Sequence, residues 1–139
     1  MMIREATVED AEALFALNSL FENDSPVEMI RAGLLESDRE IIVIAYLDDE
    51  AIAFGTGLII KSICYRGRRM EVESLFVKEN HRKRGVGKAV LDFLEQCAVS
   101  RGIYHFHINV RATNNAAYDM YTKSGYQSFS EVLLEKDIE

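Results

Sequence analysis

Apolar positions along the chain change period several times, and each change marks an element. Met2 to Ala6 reads as a short strand, and Thr7 then stands where a helix N-cap belongs, ahead of Ala11, Leu14, Phe15 and Leu17 on one helical face. Ser25-Pro26-Val27-Glu28 offers an N-cap, a proline at the first helical position and a glutamate at the third, which predicts a second helix to about Glu36. Ile41 to Leu47 is rich in β-branched residues, Asp48-Asp49-Glu50 is a turn, and Ala51 to Ile63 is a long strand; together they predict an antiparallel hairpin. After the Tyr65-Arg66-Gly67-Arg68 turn, Met70 to Val77 alternates. Met70, Val72, Ser74 and Phe76 fall on one side, and Glu71, Glu73, Leu75 and Val77 on the other. From Val86 to Arg101 the set Val86, Val90, Leu91, Leu94, Cys97 and Ala98 follows the helical period, and Gly102 is placed to stop it. Tyr104 to Val110 is the next strand, Asn114 to Ser124 a helix ended by Gly125, and Tyr126 to Glu135 a last strand. Antiparallel strands followed by strand, helix, strand make a mixed α/β fold containing a parallel pair with a right-handed crossover.

Composition narrows the setting. At 139 residues and 48% hydrophobic, the chain is expected to be one domain, residues 1–139, able to bury a core without disulfide or metal staples. No apolar run approaches the roughly 18 residues that span a bilayer. Arg4, Glu5, Glu9 and Asp10 stand where a signal peptide needs apolar residues, so the expected location is cytoplasmic, with no membrane partner. Cys64 and Cys97 are isolated and read as small hydrophobes. A net charge of −7 argues against nucleic acid and for cationic small molecules or basic peptides. His105 and His107 alternate on one strand face but lack a third ligand, so no metal site is expected. Ser100 and Ser124 have no base nearby, and no hydrolase triad is legible.

The exception to the acidic balance is a basic cluster threaded through glycines: His81, Arg82, Lys83, Arg84, Gly85, Val86, Gly87 and Lys88, between a strand and a helix. Free amides at a helix N-terminus, the positive end of the helix dipole and glycines without a Cβ together suit a pyrophosphate. The other reading is a tight strand-to-helix turn with solvated basic residues. A P-loop would need glycine at Arg82 and Ser or Thr at Ala89. A dinucleotide fingerprint would need glycine at Val90 and an acid about 20 residues on, where His105, Phe106 and His107 stand. The cradle is neither.

Arg82, Gly85 and Gly87, preceded by the strand end Ser74-Leu75-Phe76-Val77, match an Arg/Gln-x-x-Gly-x-Gly/Ala signature, and Asn114 to Tyr126 looks like Asn-x-x-Ala-x-x-Leu-Tyr-x-x-x-Gly-Phe with Met120 for Leu and Tyr126 for Phe. In these two motifs, in this order, the chain resembles the GNAT superfamily of acyl-CoA-dependent N-acyltransferases. The resemblance implies a central mixed, mostly antiparallel sheet, splayed between two parallel strands and flanked by about four helices. It further implies that the protein is an enzyme, transferring the acetyl group of acetyl-CoA to a primary amine by direct attack in a ternary complex. Leu75, Phe76 and Val77 would hold the acyl carbonyl and pantetheine through strand backbone. The amides of Arg82, Lys83, Arg84, Gly85, Val86, Gly87 and Lys88 would hold the pyrophosphate, and Asn114, Ala117 and Tyr121 would line the pantetheine arm. Unpaired strand backbone is costly when buried, so a ligand that completes the ladder is a sensible partner.

A lysine-like amine is almost wholly protonated at neutral pH, and freeing it costs roughly 4 to 5 kcal/mol, against about 1 kcal/mol for a peptide α-amine. A carboxylate base is therefore expected for the first. Glu71 and Glu73, two apart on one strand, are the candidates, with simple attraction of cations as their other reading. By resemblance, Tyr121 is the general acid for the leaving thiolate. Asn109-Val110-Arg111-Ala112-Thr113-Asn114 is similar to a stretch of ribosomal-protein and protein N-terminal acetyltransferases, while the acidic charge suits polyamines or aminoglycosides equally. Acceptor walls are expected from the helices between Thr7 and Glu36 and from the last strand. A homodimer through edge strands fits the family. The alternative function is a catalytically silent acyl-CoA-binding or sensing module, and a third is an interaction domain.

Overall fold

Five strands line up in sequence order in one sheet: β1 (Met2–Glu5), β2 (Glu40–Leu47), β3 (Glu50–Lys61), β4 (Arg68–Val77) and β5 (Phe106–Ile108). β1 to β4 are antiparallel to their neighbours, and β5 runs parallel to β4. The computed structural model describes residues 1–138, which divide after Asn109 into two units. The β2–β3 turn is Asp48-Asp49, with φ of 50° and 67°. Two positive φ values in a two-residue turn match the right-handed twist of the strands they join.

In the first unit, α1 (Ala11–Leu20), α2 (Val27–Leu34) and α3 (Val86–Ser100) accompany the sheet. Every apolar residue expected on the buried face of α3, from Val86 to Ala98, is buried. α3 approaches the sheet closely at Gly55, where a Cβ would lie 2.9 Å from Val90 Cγ1. Leu14 and Leu17 of α1 pack with Ile44, Phe54 and Phe76, while Phe15, expected on the same face, stays exposed. α2 begins one residue later than expected, with Pro26 as its N-cap rather than its first residue: proline fixes a helical φ of −68°, but its ψ of 156° is extended. The N-terminus is tied down by Asp10, 2% exposed. Arg4 donates two hydrogen bonds to it (2.7 and 2.9 Å), the Thr7 N–H donates at 2.8 Å and the Tyr46 hydroxyl at 2.8 Å.

Strand β4 corrects the simple alternation. Val72 pairs with Gly57 and Ser74 with the preceding residue Thr56, so Glu73 is the extra residue of a β-bulge. The bulge reverses which face the later residues occupy. Leu75 joins Val90 beside Gly55, and Phe76 packs with Leu14 and Leu17 instead of sharing a face with Met70 and Val72.

The second unit holds α4 (Asn115–Lys123), capped by Asn114, whose side chain accepts from the Ala117 N–H at 3.2 Å. Gly125, at φ 100°, follows the helix as expected. The last strand, expected over residues 126–135, is absent: residues 126–138 carry neither helix nor strand. Among the described residues no helix is long and apolar enough to cross a membrane.

Candidate active site

The sheet opens where β5 stops. Met70, Glu71 and Val72 pair with Phe106, His107 and Ile108, and β4 then continues to Val77 paired only with β3. Glu73 lies at the start of this open stretch. It lines a cleft of ≈ 380 Å³ together with Ser74, Thr56 and Glu40 of the sheet, Asn18 of α1 and Asp24 of the α1–α2 connection. Among the described residues, no lysine or arginine lines this cleft. Glu40 is half-buried, and burial first, then the charge of Glu73, push its carboxyl above the usual range while Arg39 opposes them. Its carboxylate makes no hydrogen bond or ion pair among the described residues, since Arg39 itself is engaged by Glu36 at 3.1 Å.

The two candidate bases have different surroundings. Glu73 is exposed within the cleft, whereas Glu71 accepts a hydrogen bond from Asn109 Nδ2 at 2.9 Å and is not part of the cleft lining. Among the strand-end residues, Phe76 is buried and Leu75 and Val77 half-buried. The Val77 carbonyl accepts from Arg82 Nε at 2.8 Å, and the Arg82 guanidinium lies 5.7 Å from the Phe76 ring centre.

The glycine-threaded segment forms the entrance to α3. Gly85 is its N-cap at φ 80°, Lys83 also has a positive φ of 63°, and the first turn contains no acidic residue. The first intrahelical amide to find a partner is that of Ala89, bonded to the Gly85 carbonyl at 3.1 Å, so the amides of Val86, Gly87 and Lys88 are the unpaired donors of the helix start. Lys83 and Arg84 are exposed beside them, while Lys88 is paired with Asp92 at 2.8 Å. A 15-residue helix with free amides and no acid at its start fits a pyrophosphate.

In the second unit, Tyr121 lies on α4 with its ring 6.0 Å from that of Tyr126, and burial pushes its phenol above the ordinary value. Asn114 spends its side-chain oxygen on the Ala117 amide. His105 and His107 meet, Nε2 to Nε2, at 3.0 Å, but among the described residues no group of three or more His, Cys, Asp or Glu is placed to hold a metal. Cys97 is buried, its thiol pushed up to about 12 by burial and by Glu5, which makes it inert as a nucleophile. Sequence reasoning missed Glu40 and the Asp10 network. Glu40 opens an apolar strand and gives no periodic signal; Arg4 and Asp10, six residues apart, belong to no motif.

A sheet opened beside a bulge, followed by an anion cradle at the next helix, is the arrangement of an N-acetyltransferase. The chain belongs to the acetyltransferase (GNAT) family, whose model matches residues 5–126, and is an acyltransferase. It is 28% identical over 141 residues to an acetyltransferase of Pectobacterium atrosepticum, covering 98% of this chain and 94% of that one. Its fold is similar to that of the aminoglycoside N-acetyltransferase AAC(6')-Iy in complex with a CoA-containing bisubstrate analogue: TM-score 0.85, 19% identity, 99% of this chain and 97% of that one. It is also similar to a ribosomal-protein-alanine N-acetyltransferase from Brucella melitensis: TM-score 0.81, 16% identity, 98% of each chain.

Proposed function

We propose that this acyltransferase moves the acetyl group of acetyl-CoA to a primary amine of a small molecule, in a ternary complex and within one domain to which residues 1–139 all belong. The observation that carries the choice of acceptor is the cleft beside the bulge: its ≈ 380 Å³ and its carboxylates suit a small cation better than a protein surface. The match of the family model from the first unit into the second supports the single domain.

In this reading the chain's own groups divide the work. Amides at the start of α3, with Lys83 and Arg84, hold the pyrophosphate; the open edge of β4 from Leu75 to Val77 holds the pantetheine arm, with Asn114 and Ala117 beside it. Glu73, directly or through water, takes the proton that the amine loses as its nitrogen bonds to the thioester carbonyl carbon. Tyr121 gives its proton to the sulfur as the carbon–sulfur bond breaks, and burial favours the protonated phenol this role requires. Glu71, engaged by Asn109, is the less available base. Phe129, Val132, Leu133 and Leu134 are exposed in the C-terminal segment, which supports a pair of copies, to be checked by sedimentation.

The test is thiol release from acetyl-CoA against polyamines, aminoglycosides and short peptides with free amines. Release with the small amines supports the proposal, and release with peptides alone moves the acceptor to protein N-termini. Silence throughout, with acetyl-CoA still raising the melting temperature, replaces it with the silent binding module. Tyr121→Phe is expected to lower kcat about a hundredfold or more with little change in KM for acetyl-CoA; unchanged turnover removes the tyrosine from the mechanism.

A further inference from the structure

Outside the cleft, β5 and the residue before its partner-facing run carry two side chains that the transfer reaction does not use. His105 and His107 are both exposed, neither lines the cleft, and their Nε2 atoms meet at 3.0 Å. The backbone fixes their spacing. The His105 carbonyl accepts from the Met70 N–H at 3.0 Å and His107 stands in register with Glu71, so pairing with β4 holds both histidines on one face. Two nitrogens 3.0 Å apart, each about 2.0–2.1 Å from one ion, subtend an angle of about 94° at it. A tetrahedral ion would set them about 3.3 Å apart. Imidazoles whose lone pairs converge on an ion at the smaller angle have ring centres about 4.7 Å apart, against about 5.3 Å for a straight N–H···N hydrogen bond. The observed separation is 4.8 Å, with the ring planes at 74°. The rings are therefore turned off the line joining the two nitrogens, as a shared ion requires.

We propose that His105 and His107 form a two-imidazole chelate for a late first-row divalent cation, copper(II) or nickel(II), whose preferred ligand angles are near 90°. A closed metal site needs further protein ligands, which the described residues do not supply; water completes the coordination, and the exposure of both rings admits it. Each Nε2 binds in the neutral form of the imidazole, with the ring proton on Nδ1. Strand pairing already sets the two nitrogens at chelating distance, so binding orders no further backbone. The net charge of −7 favours the approach of a dication. The inference is independent of the acetyl-transfer reading.

The experiment titrates copper(II), nickel(II) and magnesium chlorides separately into the full chain at neutral pH in a calorimeter, beside His105→Gln, His107→Gln and the double variant. The expected result is one copper(II) per chain, bound about tenfold or more weaker in each single variant and little weaker again in the double. Nickel(II) should bind less tightly than copper(II) in the same pattern, and magnesium should not bind. The electron paramagnetic resonance spectrum of the copper-loaded chain gives a second readout: nitrogen splitting from two imidazoles, reduced to that of one in either single variant. No copper(II) binding, or binding equal in the unaltered protein and the double variant, overturns the proposal. A single variant that binds as tightly as the unaltered protein also overturns it, because one imidazole then suffices. Unchanged melting temperatures of the metal-free variants show that a loss of binding is not one of folding.

Discussion

Asp10 is buried and Glu40 half-buried in the first unit, and the fold treats the two carboxylates in opposite ways. Burial alone would raise the pKa of Asp10, but hydrogen bonds from Arg4, the Thr7 N–H and Tyr46 overcome it and bring the group down to about 2. Glu40 receives burial and a like charge from Glu73 and is pushed up. A carboxylate whose acceptor capacity is used within the fold is a structural joint, here fastening β1 to β2 and to the turn before α1. A carboxylate half-buried beside a like charge, with only the charge of Arg39 opposing, is a cost to the fold.

The comparison is broken most directly at Asp10. Asp10→Asn leaves the Arg4 guanidinium without its counter-charge and should cost about 2 to 3 kcal/mol, water taking over part of the loss because the Arg4 side chain is 39% exposed. Urea unfolding at neutral pH measures it, and a loss within experimental error would remove the joint. The pH dependence follows from the lowered pKa. Stability contributed by Asp10 is fully present above the ordinary aspartate value of 3.8 and is lost as pH falls towards about 2, amounting to about 2 kcal/mol. Asp10→Asn should flatten the stability curve across that window and nowhere else. Tyr46→Phe is the milder version. Asp10 keeps its bonds from Arg4 and Thr7, so the cost should be about 1 kcal/mol, read as a shift in the urea midpoint with an unchanged m-value.

The same contrast explains what could be read from the residues alone. α3 and the β2–β3 hairpin were legible because their signals are local: a helical period ended by Gly102, and two strands across Asp48-Asp49. The cradle was legible because glycines and cations are contiguous from Arg82 to Lys88. The bulge at Glu73 was not. One extra residue in a strand leaves the composition unchanged, and only pairing with Thr56 and Gly57 reveals it. Glu40 was hidden for a related reason: its neighbours in the cleft come from several separate segments, among them α1, the α1–α2 connection, α2, β3 and β4. The tail from Tyr126 fails in the other direction. Its residues have strand propensity, but propensity is not pairing, and residues 126–138 form no strand.

The smallest effect is the sharpest test of the contrast. Because the pKa of Glu40 is raised in the folded chain, its ionised form is worse placed there than in the unfolded one. The penalty is present at pH above the raised pKa and vanishes as Glu40 is protonated on acidification. Glu40→Gln should therefore stabilise the protein at neutral pH, and the gain should disappear in acid. Glu73→Gln should recover part of the same gain by removing the like charge. Paired urea titrations at neutral and acid pH measure both. If Glu40→Gln instead costs stability at neutral pH, Glu40 is a joint of the same kind as Asp10, its carboxylate is already occupied by the fold, and no charge remains in it for an acceptor.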